Sequence, residues 1–229
     1  MTVQGGGGYE TFVRMSTSKN EFLKMSKSKV VRFSSKAPCL FTLKVELAPE
    51  WIQPVIWRRI QVDGRISLAK LHHFIQAAFG WSDSHLHEYR IGDQRYGEPD
   101  PEFSDDHVEE DRKAFLNRLL GEGDQITYTY DFGDNWEHLI TIESIEFGED
   151  CDLSGGAFVI GGARACPPED VGGVPGYQDF LETLLTEPNS EEAAHLLNWL
   201  GGDFDAEWFD QRLANAAILR MMYNGWGGK

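Results

Sequence analysis

The sequence predicts an α+β fold: a mainly antiparallel sheet with packed helices and a helical C-terminal third. Three observations predict it. Segments that alternate apolar and polar residues fall between residues 40 and 147. Patterns of helical period crowd into the last third. Strands and helices do not take turns along the chain, as the units of a parallel sheet would require.

Each element has its own signal. From Leu40 to Leu47, the residues Phe41, Leu43, Val45 and Leu47 share one face of a strand. A second strand runs from Val55 to Val62, with Ile56, Ile60 and Val62 on one side and Trp57 on the other. Asp63-Gly64 marks a tight turn. Ser67 is the N-cap of a helix reaching about Phe79, with Leu68, Leu71, Phe74, Ile75, Ala78 and Phe79 as its apolar stripe and Gly80 as its end. His85 to Ile91 reads as a strand, Asp93 to Glu110 as a polar acidic loop. A short helix with Phe115, Leu116, Leu119 and Leu120 stops at Gly121 and Gly123. A hairpin follows from Gln125 to Phe147, and Gly133 is expected to supply the unusual backbone angle of its turn. The glycine- and proline-rich stretch from Gly155 to Gly176 reads as a fixed irregular path. Helical patterns then cover residues 178–185, 191–200 and 206–222. Asn189 with Glu192 forms a capping box for the second, and Asp205 caps the third. Trp81, Trp199, Phe204, Trp208 and Phe209 are expected in the core.

The 229 residues suffice for one substantial domain. Residues 1–37 read as a flexible basic N-terminal arm and residues 38–229 as a single α+β domain. The arm holds seven Lys/Arg against Glu10 and Glu21, about +5. With the whole chain at −16, the remainder carries −21. An acidic body repels phosphate backbones, which argues against a general nucleic-acid binder. Three cysteines without a CxxC fit neither a disulfide scaffold nor a four-cysteine zinc site. No apolar run approaches a membrane span and no signal-peptide core is visible, so a cytoplasmic protein is expected.

The chemistry concentrates in three places. In the hairpin, Asp131, Asp134, Trp136 and His138 crowd one end. Carboxylates and an imidazole are the side chains that hold divalent cations or trade protons, although Asp in a turn also caps its own backbone. In His85-Leu-His87, alternation puts two imidazoles on one strand face, where they could share a metal. His72-His73 is a poorer pair, because adjacent helical residues diverge. In the loop from Gly161 to Tyr177, Arg164 is suited to grip a carboxylate or phosphate, Cys166 is a nucleophile only if its pKa is lowered, and Glu169 or Asp170 is a metal ligand or base. The structural reading of the same loop pairs Arg164 with Glu169 or Asp170.

Leu71-His-His-Phe-Ile-Gln76, Phe79-Gly-Trp81, His85-Leu-His87, Tyr130-Asp-Phe-Gly-Asp-Asn-Trp-Glu-His138 and Gly162-Ala-Arg-Ala-Cys-Pro-Pro-Glu-Asp-Val-Gly-Gly173 with Gly176-Tyr177 occur in this order. Together they resemble the plasmid pRiA4b Orf-three-like family over about residues 38–215. The resemblance implies an α+β domain associated with plasmids or mobile elements, and no established activity. Some members carry a label naming them TnpR-like passengers of insertion elements. The nucleophilic serine among arginines and the DNA-binding helices of a serine recombinase have no counterpart in this sequence.

The expected function is a binding or interaction module for a protein or small-molecule ligand. Its cleft lies between the hairpin and the Cys-Pro-Pro loop and includes Asp131, Asp134, Trp136, His138, Arg164, Cys166, Glu169, Asp170 and Tyr177. The alternatives are a metal-dependent hydrolase or phosphoryl-transfer enzyme, with a divalent metal on His85, His87, Asp131, Asp134 and His138, and a DNA-linked accessory protein acting through the basic arm.

Overall fold

Alternation along Cys39–Leu47 (β1) and Ile56–Asp63 (β2) buries Phe41, Leu43, Val45, Leu47, Ile56, Ile60 and Val62 on one face, and this face is the floor of the core. The computed structural model describes residues 37–99 and 107–225. The arm expected over residues 1–37 therefore lies, but for Ala37, outside the described residues. Eight strands form one sheet. The others are His87–Ile91 (β3), Gln94–Gly97 (β4), Val108–Glu110 (β5), Gln125–Tyr130 (β6), Trp136–Phe147 (β7) and Ala157–Ala163 (β8). Their order is β5-β4-β3-β6-β7-β1-β2-β8, and every pairing is antiparallel except β4 with β5.

Helix α1 (Leu68–Phe79) starts at Ser67, whose side chain accepts from the Lys70 N–H, and ends at Gly80 with φ 92°. It buries Leu71, Phe74, Ile75 and Ala78. A buried Leu or Phe of this kind contributes about 1.5–3 kcal/mol. A single turn, α2 (Leu116–Leu119), precedes β6. Helices α3 (Gly173–Thr186), α4 (Glu191–Leu200) and α5 (Gln211–Tyr223) make the C-terminal third, and α5 packs beside α1 and β8. The opposite face of the sheet is polar, with ion pairs such as Arg59–Glu143 and Arg95–Glu88. No helix among the described residues is long and apolar enough to cross a membrane.

The fold class is as expected, and several boundaries are corrected. The loop from Asp93 to Glu110 contains two short strands, β4 and β5. The stretch from Gly155 contains strand β8, and α3 begins at Gly173, five residues before the expected start. Pro175 fits there because it lies in the first turn, where backbone N–H groups have no helical partner. Ser190, not Asn189, caps α4, and no capping box with Glu192 forms. Asp210, not Asp205, caps α5, which starts at Gln211; Asp205 instead accepts from the Glu207 N–H in a preceding turn. Trp199 and Trp208 are about half exposed, so they are not core residues. Trp81 is buried.

Candidate functional site

The site is built at one end of the central strands, where the chain enters β3, leaves β6 and enters β7. Register fixes the neighbours: His87 pairs with Tyr130, and Tyr130 with Trp136. Tyr128 and Tyr130 thus share the buried face with Trp136 and His138. The turn between β6 and β7 differs from expectation. Its left-handed residues are Asp131 (φ 54°) and Asn135 (φ 55°), not Gly133. Asp131 Oδ1 accepts from the Gly133 N–H at 2.9 Å, an aspartate turn that stabilises this backbone locally. The Asp131 N–H donates to Leu86 O at 2.9 Å, which brings the turn beside His85.

The Cys-Pro-Pro loop is pinned to the same place by four contacts. Trp81 Nε1 donates to Pro167 O at 3.1 Å. The Ser82 N–H donates to Glu169 Oε1 at 2.8 Å, and the Tyr130 hydroxyl donates to Glu169 at 3.2 Å. The Gly172 N–H donates to Asp134 Oδ2 at 3.1 Å. Gly173 has φ 68°, and a Cβ there would stand 2.5 Å from Asp134 O, so only glycine allows the two backbones to meet.

Around His85 the two segments converge. Its Nε2 lies 3.3 Å from Asp170 Oδ1, 3.7 Å from Asp131 Oδ2 and 3.8 Å from Glu169 Oε2. His85, Asp131 and Asp170 form one of two groups among the described residues able to hold a metal ion; His72, His73 and Asp83 form the other.

The second group is a closed hydrogen-bond ring. Gln76 Oε1 accepts from the Asp83 N–H at 3.2 Å, which fixes the amide, so its Nε2 donates to the Tyr128 hydroxyl at 3.0 Å. The Tyr128 O–H then donates to His72 Nδ1 at 2.7 Å, and His72 Nε2–H donates to Asp83 Oδ1 at 2.5 Å. Asp83 Oδ2 accepts from His73 Nδ1–H at 2.8 Å, which leaves His73 Nε2 outside the ring. Burial pushes His72 down to about 4, against the opposing pull of Asp83, so it is neutral. Burial alone would raise the Asp83 carboxyl; the two imidazole hydrogen bonds outweigh it and hold Asp83 well below the usual carboxylate range. The His72 ring stacks on His87 at 3.6 Å, and His87 Nε2 is 2.8 Å from Asp111 Oδ2. His72, His73, Asp83, His85, His87 and Asp111 all line one cleft of about 860 Å³.

Of the residues singled out from the sequence, Asp131, Glu169 and Asp170 meet at His85. His87 does not share a centre with His85, because it turns to Asp111 and His72. Asp134 ties the turn to the loop. Trp136 is fully buried. His138 is fully buried too, wedged edge-on against Phe79 and Trp81, and burial pushes it down to about 3, against the carbonyls of Tyr128 and Trp136. Arg164 pairs with neither Glu169 nor Asp170: its guanidinium donates to Glu207 Oε1 at 2.8 Å and Pro54 O at 2.6 Å. Cys166 lines a separate, more apolar cleft with Arg58 and Phe209. Burial pushes its thiol well up, and Arg58 does not reverse this, so it is no activated nucleophile. Tyr177 is buried in α3. The sequence carries no signal for Asp83 or Asp111 and ranks His72-His73 only as a poorer pair. The pairing of His73 with His72 is corrected: both rings reach one carboxylate, because Asp83 (φ 61°) offers an oxygen to each.

These features define an α+β domain with a histidine- and carboxylate-lined cleft. The chain belongs to the Plasmid pRiA4b ORF-3-like protein family, whose model matches residues 40–213, and the family is of unknown function. It is 40% identical over 178 residues to "Uncharacterized protein y4hQ" of Sinorhizobium fredii (strain NBRC 101917 / NGR234), covering 77% of this chain and 89% of that one. It is also similar to a solved structure, "Crystal Structure of Protein of Unknown Function MM3350 from Methanosarcina mazei Go1", with a TM-score of 0.67 and 35% identity, over 77% of this chain and 97% of that one.

Proposed function

We propose that the protein is a binding module whose cleft takes a small, positively charged ligand. One observation carries the reading. Asp83, Glu98 and Asp111 line the cleft, and Arg112 is the one Lys or Arg among its described lining residues. Asp131, Glu169 and Asp170 add their carboxylates around His85. A concave wall of one sign concentrates ligands of the other. The same balance disfavours phosphate esters, and with them the phosphoryl-transfer alternative.

The test is thermal unfolding of the full chain in EDTA with spermidine or arginine methyl ester, against phosphate and citrate as anionic controls. The amines are expected to raise Tm in a concentration-dependent way, and Asp83→Asn with Asp111→Asn to abolish the rise. Equal shifts from the anions would end the proposal. A second reading, metal-dependent hydrolysis, has one observation in its favour. His73 lines the cleft and is held by Asp83 through Nδ1, a carboxylate–imidazole pairing that would orient a general base.

A further inference from the structure

We infer that a divalent metal ion is held at the edge of this cleft by His85, which lines it, with Asp131 and Asp170, and with Glu169 beside them. The inference rests on the binding-module reading and adds a second cationic ligand beside the first. It stands first on spacing. Hydrogen bonds between N–H and O run to about 3.2 Å. The separations from His85 Nε2 to Asp170, Asp131 and Glu169, at 3.3, 3.7 and 3.8 Å, exceed that. Ligand atoms about 2.1 Å from a shared ion at tetrahedral angles lie about 3.4 Å apart, which is the range seen here. The ring at Asp83 has the opposite signature: at 2.5 and 2.8 Å, its imidazoles already donate to the carboxylate, and an ion would have to displace protons that the ring fixes in place.

It stands second on charge and burial. Three carboxylates face one ring nitrogen, and among the described residues none of them pairs with a Lys or Arg. Asp131 is more than nine-tenths buried. Its Oδ1 accepts from the Gly133 N–H, and its Oδ2 faces His85 Nε2 at 3.7 Å. Carboxylates crowded around one imidazole repel one another, and a cation between them relieves the repulsion. One imidazole with carboxylate oxygens and no thiolate suits Zn²⁺ or Mn²⁺. Ca²⁺ and Mg²⁺ prefer all-oxygen shells.

The experiment is calorimetric titration of EDTA-stripped, dialysed full-length protein with Zn²⁺ and with Mn²⁺, with metal content confirmed by elemental analysis. One equivalent of either ion is expected. Asp131→Asn and Asp170→Asn should each weaken it at least about tenfold. Asn tolerates the left-handed backbone at both positions and keeps an oxygen for the Gly133 N–H, so the turn survives; circular dichroism checks this. Absence of stoichiometric binding overturns the inference. So does binding that survives both variants and is lost in His73→Gln, which would move the ion to the other cluster. Amine binding in EDTA without metal binding removes the metal assignment alone; absence of both removes the binding module as well.

Discussion

Asp83 holds two imidazole N–H groups on one carboxylate, and its own N–H closes the ring through Gln76 and Tyr128. Replacing it with Asn keeps the left-handed backbone but swaps one acceptor oxygen for a donor that meets an imidazole N–H. Asp83→Asn is therefore expected to cost about 1–3 kcal/mol in urea unfolding; a cost near zero would mean that the ring does not hold the entrance to β3. Residue types alone reached part of this site. His85, Asp131, Glu169 and Asp170 were legible because the His-Leu-His strand, the acidic turn and the Cys-Pro-Pro loop each stand out by residue type. His72 and His73 were underrated, because helix geometry says nothing about a carboxylate arriving from another segment. His138, Cys166 and Tyr177 carry reactive side chains, but desolvation holds each in its neutral form, with His138 and Tyr177 fully buried and Cys166 partly so, and desolvation is a property of the folded neighbourhood.

At the scale of elements, the strands with clean alternation and the helix between Ser67 and Gly80 were readable to within a residue or two. Strand β8 was hidden because it is apolar on both faces: Ala157 and Val159 point inward, while Phe158 and Ile160 are exposed. Two glycines then follow. Gly162 is there for contact, since a Cβ would lie 2.7 Å from the Phe209 ring. Strands β4 and β5 have four and three residues, too short for any period to register. The docking of the Cys-Pro-Pro loop on the hairpin turn yields the prediction proper to this scale. Gly173→Ala sets a side chain against Asp134 O in a left-handed backbone, and should destabilise by more than about 1 kcal/mol. Limited proteolysis should then cut first between residues 164 and 172, and a cleavage pattern identical to the native one would show that the loop is held without this contact.

For the molecule as a whole, the two buried neutral histidines set the response to acid. His72 and His138 are pushed down to about 4 and about 3, while in the unfolded chain they titrate near 6.5. Between those values the unfolded state binds more protons, so stability rises with pH. The stabilisation is complete above about 6.5 and is lost as pH falls towards 4. Each histidine contributes a slope of at most about 1.4 kcal/mol per pH unit in that window. Removing one ionisable ring with His138→Phe should flatten the dependence of urea-unfolding free energy on pH between 4.5 and 6.5; an unchanged slope would refute this assignment.

Asn215 of α5 makes two bonds to Val159 of the terminal strand β8: its Oδ1 accepts from the Val159 N–H at 2.8 Å, and its Nδ2 donates to Val159 O at 2.9 Å. A side-chain amide thus imitates one residue of a ninth strand. With Phe158 and Ile160 exposed beside it, that margin of the sheet would otherwise be a sticky template for another chain to zip onto. The helix satisfies that margin at Val159 and leaves one fewer residue there for a foreign strand to pair with.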